Sequence, residues 1–268
     1  MTDGLDVDAM IERFRERAKA VRSRGVPPLE GAERKRFIDQ AKLDYMDYAM
    51  LGDASGAVED GILVLRVDRT DPSKNVVRGF RSFELFLEAH PEFHGRVVML
   101  ALLDPSRQDI PEYAEYLGAI QRAARTVNDR FQRDGWVPVD LQIQDNFLQA
   151  VAAYKQFDVL LVNAIFDGMN LVAKEAPLVN ERAGVLVLSE NAGAHDQLAA
   201  WALTVNPFDV AGQAEAIHLA LTMSGEERRA RSDAIQAHVR RHPIAEWIRA
   251  QLADLDAAVA APERTLRS

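Results

Sequence analysis

The sequence predicts an α/β domain with a Rossmann-like parallel sheet and helices on both faces, preceded by a helical N-terminal segment. From Gly61 onward, short apolar runs alternate with longer segments of helical spacing. Strands and helices that alternate in this way are typical of a parallel sheet with right-handed crossovers. The chain has 268 residues, of which 48% are hydrophobic, so it is long enough for one large core. It contains no cysteine, which excludes disulfides and thiolate metal sites.

The first part of the chain differs in composition from the rest. Residues 1–57 are rich in Arg, Glu, Ala and Met with helical spacing, and Pro27-Pro28 interrupts the pattern because proline cannot donate a helix hydrogen bond. We therefore predict a helical N-terminal segment over residues 1–57 and a Rossmann-like domain with C-terminal helices over residues 58–268.

The elements of the second part follow from runs of Val, Leu and Ile, which favour strands, and from longer stretches of helix formers. Strands are predicted at 62–67, 97–103, 138–143, 159–162, 185–188 and, as a last edge strand, 202–205. Helices are predicted over 76–89, 110–133 and 146–154, directly after the fourth and fifth strands, and from the last strand to about residue 255. In such sheets, ligands bind beyond the carboxyl ends of the strands.

Charge and hydropathy exclude several classes of function. The formal net charge is −9, which argues against a nucleic-acid binder because phosphate contacts need clustered Lys and Arg. No apolar run reaches membrane-spanning length, and the N-terminus lacks the apolar core of a signal peptide. We expect a cytoplasmic protein that contacts neither nucleic acid nor membrane.

One strand, turn and helix combine into a candidate anion site. The apolar strand that ends at Asn163 leads through Asp167-Gly168 into a segment of helix formers. Free backbone N–H groups and the helix dipole at such a turn favour a bound anion. Asp167 and Glu175 bracket the turn, and carboxylates there accept hydrogen bonds from sugar hydroxyls. The arrangement indicates binding of a nucleotide sugar.

The segment from Asp167 to Glu175, Asp-Gly-Met-Asn-Leu-Val-Ala-Lys-Glu, resembles the donor-binding signature of trehalose-6-phosphate synthases, which are retaining glycosyltransferases of the two-domain GT-B type. Val67–Asn75 is similar to the family's Asp-Arg-Leu-Asp-Tyr-Ser-Lys-Gly, Ser106-Arg107 to its Ser-Arg pair, and Val185–Ala194 to its late strand and turn. These matches keep the family's order, which makes them more specific than one short motif. The resemblance runs from about Val58 to Leu255 and covers only the C-terminal, donor-binding half of a family member.

The resemblance implies roles for the donor site. The residues matching the family's catalytic group are Arg69, Lys74 and Asp167, of which Arg69 and Lys74 contact the donor's diphosphate and Asp167 accepts from a sugar hydroxyl. Glu175 accepts from the ribose hydroxyls. The remaining donor-binding positions supply main-chain N–H groups or flank the nucleotide: Gly168, Met169, Asn170, Leu171 and Val172.

The resemblance also assigns the acceptor phosphate to Arg107, and an ion pair of Arg107 with Asp109 or Glu112 is an equally open alternative. The chain departs from the family where Asn75 replaces a glycine, and a left-handed turn accepts Asn. It departs again where Phe166 replaces an arginine before the signature, which removes a cation from the mouth of the site.

The expected reaction is transfer of glucose from UDP- or GDP-glucose to a sugar phosphate such as glucose 6-phosphate. We expect no cofactor and no metal, because no acidic pair has metal-ligand spacing near the cations and the six histidines show no such spacing either. Two alternatives stay open: a noncatalytic nucleotide-sugar-binding or regulatory module, and an enzyme of the same fold with a related coupling reaction.

The acceptor side of the site is not provided by this half of the family fold. In the family, an N-terminal Rossmann-like half supplies much of the acceptor pocket. We therefore expect the isolated chain to be inactive, and to work with a separate N-terminal half or as a homo-oligomer.

Overall fold

The computed structural model describes residues 61–133 and 135–260. The predicted helical segment over residues 1–57 lies outside the described residues. Contacts divide the described chain into two units, one that ends at Ala237 and a second that contributes residues 238–260. The first unit contains the sheet.

The sheet has six strands, and all its neighbouring pairs are parallel. The strands are β1 Ile62–Arg69, β2 Val97–Asp104, β3 Val139–Ile143, β4 Val159–Val162, β5 Val185–Ser189 and β6 Leu203–Val205. Their order is β3-β2-β1-β4-β5-β6, so β6 is an edge strand as predicted. This is the strand order of a Rossmann fold, and it confirms the predicted fold class.

Eight α-helices lie within the described ranges. The first three begin and end within two residues of their predicted bounds, and the others lie in segments where helices were predicted without bounds, the last of them running to Ala260, past the predicted end near residue 255. They are α1 Val76–Ala89, α2 Pro111–Phe131, α3 Phe147–Gln156, α4 Val172–Val179, α5 His195–Leu198, α6 Val210–Thr222, α7 Gly225–Arg241 and α8 Ile244–Ala260. None of the helices that the structure describes is long and apolar enough to cross a membrane.

The core lies between the sheet and the helices. On one side, α1 packs against α2 and α6 and buries the aromatic face formed by Phe80, Phe83 and Phe86. On the other, α3 packs against α4. Truncating one such phenylalanine to alanine typically costs about 3–5 kcal/mol, so the α1 face contributes heavily to stability.

The strand order reverses at one position in the sheet, between β1 and β4. The connections run outward from β1 through β2 to β3, then return to β4 on the other side of β1. Between β1 and β4 the chain therefore reverses direction across the sheet, and loops on either side diverge to leave a crevice at the carboxyl ends. The loops that follow β1 and β4 carry the predicted site.

Candidate functional site

A cleft of about 560 Å³ opens at the carboxyl ends of the strands. Its lining includes nine of the ten predicted site residues: Arg69, Lys74, Asp167, Gly168, Met169, Asn170, Leu171, Val172 and Glu175. They come from two loops that are far apart in sequence and meet because β1 and β4 are neighbours. The structure thus brings together the positions that the sequence singled out, while their individual roles stay predictions.

The loop after β1 is fixed by a short 3₁₀ helix, Pro72–Lys74, before α1 begins. The side chain of Asp71 accepts a hydrogen bond from the amide of Ser73 at 3.0 Å, and Pro72 occupies the first turn. The Ser73 carbonyl accepts from the amide of Ile165 at 2.8 Å, which ties this loop to the one after β4. Lys74 therefore projects from a rigid turn.

Asn75 ends that turn in the left-handed region, with φ 61° and ψ 32°. Asparagine tolerates this region better than most residues. Its buried amide group donates to the Asn163 carbonyl at 2.9 Å and to the Pro207 carbonyl at 2.7 Å. The asparagine that replaces the family's glycine therefore adopts a left-handed turn and binds two other loops together.

The cations of the cleft differ in their surroundings. Lys74 Nζ forms an ion pair with Asp167 Oδ2, and both side chains are largely buried. The Arg69 side chain is 55% exposed and lies 3.7 Å from Asp71, so it is held loosely. Lys74 is thus held in a largely buried ion pair, whereas the Arg69 guanidinium is more than half exposed to solvent.

Asp167 accepts from two partners. Besides Lys74, the Asn170 side-chain amide donates to it at 3.0 Å. Burial raises the pKa of Asp167, but the hydrogen bond and charge of Lys74 and the hydrogen bonds from Asn170 lower it more, so the pKa lies below its ordinary value. Asp167 is therefore a carboxylate at neutral pH.

The turn after Asp167 presents main-chain donors. Within the described ranges, the amides of Gly168 and Met169 have no protein hydrogen-bond partner. Asn170, in the left-handed region with φ 49°, accepts from the Ala173 amide at 3.0 Å and so fixes the first turn of α4. Free amides beside a helix N-terminus favour an anionic or hydroxyl oxygen.

The turn that contains Gly193 packs against the turn at Asp167-Gly168. The Gly193 amide donates to the Asp167 carbonyl at 2.8 Å, and a Cβ built on Gly193 would overlap the Gly168 carbonyl oxygen. By contrast, a Cβ built on Gly168 would meet nothing within 4 Å. Gly193 thus allows close approach of two backbones, whereas Gly168, which lines the cleft, has open space at its Cβ position.

Glu175 lies one turn into α4, and burial raises the pKa of its carboxyl. Tyr154 of α3 lines the same part of the cleft. Burial, followed by the charges of Glu175, Asp68 and Asp104, raises the pKa of Tyr154 well above its ordinary value, so its hydroxyl keeps its proton. A carboxylate and a hydroxyl donor beside each other suit a ligand that carries vicinal hydroxyls.

Several lining residues were missed by sequence reasoning. Asp68 and Asp104 stand at the ends of β1 and β2, and the loop after β3 contributes polar side chains together with Phe147. The chain Gln144–Gln149–Gln142 is joined by amide hydrogen bonds of 2.9 and 2.7 Å. Burial, and then the charge of Asp145, raises the pKa of Asp104. Their position directly after strands was the available signal, because ligands bind at those ends.

Arg107 is the predicted residue that the structure does not bring into the cleft lining. It lies in the loop after β2 with a left-handed φ of 45°, and its guanidinium carbon is 5.7 Å from the centroid of the Tyr113 ring. Its Nη1 also donates to the Tyr113 hydroxyl at 3.4 Å. Phe166, which replaces the family's arginine, is 74% exposed. The acceptor phosphate role of Arg107 stays a prediction.

Folding also groups three metal-ligating side chains outside the cleft lining, which the spacing of the histidines did not indicate. Ligand atoms of His90, Glu92 and His218 lie within 4.8 Å of one another. The rings of His90 and His218 are stacked, with centroids 3.7 Å apart and an interplanar angle of 12°. Glu92 Oε1 lies 3.1 Å from His90 Nδ1, so the three side chains form one cluster.

Comparisons with known proteins show which family shares this sequence and fold. Residues 55–257 match the model of glycosyltransferase family 20. The bifunctional trehalose-6-phosphate synthase/phosphatase of Thermoproteus tenax is 40% identical over 189 residues, which are 69% of this chain and 25% of that protein.

Two solved structures share the fold. The E. coli trehalose-6-phosphate structure bound with UDP-2-fluoro glucose is 32% identical with a TM-score of 0.72, over 78% of this chain and 46% of that one. The α,α-trehalose-phosphate synthase (UDP-forming) of Burkholderia xenovorans in complex with glucose-6-phosphate is 32% identical with a TM-score of 0.73, over 80% of this chain and 46% of that one. The chain thus spans between a quarter and about half of the length of these proteins. With its sheet order, its cleft and a family match over most of its length, the chain belongs to glycosyltransferase family 20.

Proposed function

We propose that this chain carries the donor-binding site of a retaining glycosyltransferase that transfers glucose from UDP-glucose to a sugar phosphate such as glucose 6-phosphate. The observation that carries the proposal is the convergence on one cleft of cations from the β1 loop with carboxylates and free amides from the β4–α4 turn. UDP is favoured over GDP because the solved relatives are described with UDP-2-fluoro glucose and as UDP-forming. Glucose 6-phosphate is favoured because one of those structures holds it.

The cations act on the leaving group. When the bond between sugar C1 and the diphosphate oxygen breaks, negative charge develops on that oxygen. Lys74 and Arg69 line the cleft where this charge forms, and preorganised cations stabilise such a transition state more than the ground state. Each charge-assisted hydrogen bond typically contributes about 1.5–3 kcal/mol.

Asp167 has two states in this proposal. In the free cleft it holds Lys74. A bound diphosphate competes for Lys74, which leaves the carboxylate of Asp167 to accept from a hydroxyl of the glucose. The amides of Gly168 and Met169 then orient the same sugar, while Glu175 and Tyr154 face the ribose.

The bond changes need no protein nucleophile. The acceptor hydroxyl bonds to C1 on the face that the diphosphate leaves, and its proton passes to the departing phosphate oxygen. Catalysis then consists of positioning and electrostatic stabilisation by this cleft.

Isothermal titration of the purified chain with UDP, UDP-glucose, GDP and GDP-glucose tests the donor site. We expect UDP to bind, with and without EDTA, and Lys74→Ala or Arg69→Ala to weaken binding by about tenfold or more. Lys155→Ala is the matched control, because Lys155 pairs with Glu181 at 2.9 Å and is not among the lining residues. Unchanged affinity in both cleft variants, or an equal loss in the control, would contradict the assignment.

The noncatalytic binding module remains the second candidate. Release of UDP from UDP-glucose in the presence of glucose 6-phosphate, after a separate N-terminal half has been added, separates it from the transferase. Inactivity of the isolated chain, its need for an N-terminal half or a second copy, and a cytoplasmic location stay predictions.

A further inference from the structure

A fully buried arginine lies beneath the loop that carries the proposed diphosphate ligands. Arg66 is on β1, has 0% exposure and is not among the residues that line the cleft. Its Nη2 forms an ion pair with Asp68 Oδ2 at 2.7 Å and donates to the Lys74 carbonyl at 3.0 Å. Its Nη1 donates to the Val76 carbonyl at 3.4 Å. Arg66 therefore bonds to the carbonyl of Lys74 and to one acceptor on either side of it in the sequence, Asp68 and Val76.

This arrangement is costly to build. Burial of a guanidinium is unfavourable unless its donors are satisfied, and here Nε has no partner among the described residues. The guanidinium of arginine presents five donors in a fixed planar fork, whereas the ammonium of lysine carries three donors on a flexible stem. Three of the guanidinium's donors bond to Asp68, Lys74 and Val76, which lie in or beside this loop.

The neighbouring helix makes room for it. Gly79 lies within α1, and a Cβ built there would overlap Arg66 Nη1. Glycine inside a helix is destabilising relative to alanine, because it loses more backbone freedom on folding. The glycine lies at the position where a larger residue would displace the guanidinium, so Arg66 and Gly79 depend on each other.

Asp68 explains why a cation is needed at this point. It lines the cleft, and its side chain is almost entirely buried. The Arg66 guanidinium offsets its charge from below. Burial raises the pKa of Asp68, while the charges of Arg66 and then Lys74 lower it, so without Arg66 the Asp68 carboxylate would be left to Lys74, in competition with any bound diphosphate.

We infer that Arg66, accommodated by Gly79, is a positioning residue that orients Lys74 and occupies Asp68, so that Lys74 is available to the diphosphate of the donor. This inference rests on the proposed function. Arg66 does not touch the ligand in this scheme, and it acts through the backbone of Lys74 and through Asp68.

UDP titration of matched variants tests the inference. Arg66→Met and Gly79→Ala should each weaken UDP binding about tenfold or more, because both displace the guanidinium. The double variant should bind UDP no more weakly than Arg66→Met alone, since both act through one contact. Lys74→Ala should cost much less affinity in the Arg66→Met background than in the wild type. Arg81→Ala, an exposed arginine of the same helix, should bind UDP like the wild type.

A purely structural role of Arg66 would lower the melting temperature of these variants and leave the UDP affinity of the folded protein unchanged, and that result overturns the inference. Should Arg66→Met fail to fold, Gly79→Ala supplies the same comparison with Arg66 still present.

A second readout needs no nucleotide. The rate of acetylation of Lys74, followed by mass spectrometry relative to Lys155 in the same molecule, should fall severalfold in Arg66→Met and in Gly79→Ala, because Asp68 then pairs with Lys74. An unchanged ratio overturns the inference. Failure of the wild type to bind UDP, with Lys74 labelling still lowered in the variants, instead overturns the proposed function and leaves the positioning of Lys74 supported.

Discussion

Lys74 Nζ and Asp167 Oδ2 form an ion pair that joins the loop after β1 to the loop after β4. The two side chains are 14% and 16% exposed, so water screens the pair only partly. Each of the two groups is one that the proposed donor would bind. In the free cleft these groups satisfy each other, and binding of a diphosphate is therefore an exchange of partners.

Asp167→Asn should separate the effect of the ion pair on diphosphate binding from its effect on sugar binding. Neutralising the carboxylate releases Lys74, so we expect UDP to bind as tightly as to the wild type or more tightly. UDP-glucose should lose its advantage over UDP, because the acceptor for the sugar hydroxyl is weaker. Titration of both ligands measures the two affinities. A drop in UDP affinity as large as that of Lys74→Ala would show that the ion pair helps binding.

The same pair predicts a dependence of stability on pH. The folded-state pKa of Asp167 is depressed below 3.8, so its contribution to the free energy of unfolding is present above that value. This contribution is lost as the pH falls through the depressed folded-state pKa. Urea unfolding of the wild type and Asp167→Asn should differ at pH 7 and converge in strongly acidic buffer. A difference that is constant with pH would exclude the charge of Asp167 as its cause.

For Glu175 we expect the opposite dependence of stability on pH. Burial raises its pKa above 4.5, so ionisation of Glu175 opposes folding as the pH rises from that value through the raised folded-state pKa. Glu175→Gln should therefore raise the melting temperature at pH 7 and have little effect near pH 4, while nucleotide binding weakens. Glu115→Gln, an exposed glutamate of α2, is the control. Stabilisation of equal size at both pH values would contradict the electrostatic origin.

Two substitutions of Asn75 distinguish the cost of backbone strain from the contribution of its side-chain hydrogen bonds. Asn75→Gly keeps the left-handed turn but leaves the Asn163 and Pro207 carbonyls without this donor, at a typical cost of about 1–3 kcal/mol. Asn75→Ala should cost about 1 kcal/mol more, because alanine is strained at φ 61°.

A matched control for the Asn75 variants is Ala183→Gly. Ala183 has φ 52°, and its side chain makes no hydrogen bond, so glycine there should stabilise the fold. Free energies of unfolding in urea give the order. An Asn75→Gly variant as stable as the wild type would mean that the two side-chain bonds contribute nothing.

Two glycines of the cleft should respond differently to alanine. Gly193→Ala should lower both the melting temperature and UDP-glucose affinity, because its Cβ would overlap the Gly168 carbonyl oxygen. Gly168→Ala should keep the melting temperature of the wild type and still weaken UDP-glucose binding, because its Cβ meets nothing within 4 Å and projects into open space. Thermal melts and titrations of both variants check this. Equal effects on the two quantities in both variants would contradict the distinction.

The local elements were predictable from the sequence because each pattern depends on near neighbours. The helix over Val76–Ala89 and the strand over Val159–Val162 have the predicted bounds, since the first keeps helical apolar spacing throughout and the second is an unbroken apolar run. The strand β1 runs two residues past its predicted end, to Arg69, because pairing with β2 continues through polar residues. The cleft residues were found because strand ends and the resemblance to the family indicated the same loops.

By itself, the sequence determined the α/β class, the bounds of most elements and nine positions that share the cleft. Only the tertiary structure decided that Lys74 pairs with Asp167, that Arg66 is buried against Gly79, and that Arg107 lies against Tyr113. These relationships join residues whose proximity depends on strand order, turn geometry and side-chain packing. Apolar periodicity reports which face of an element is buried, and it carries no information about which polar groups meet once the elements have packed.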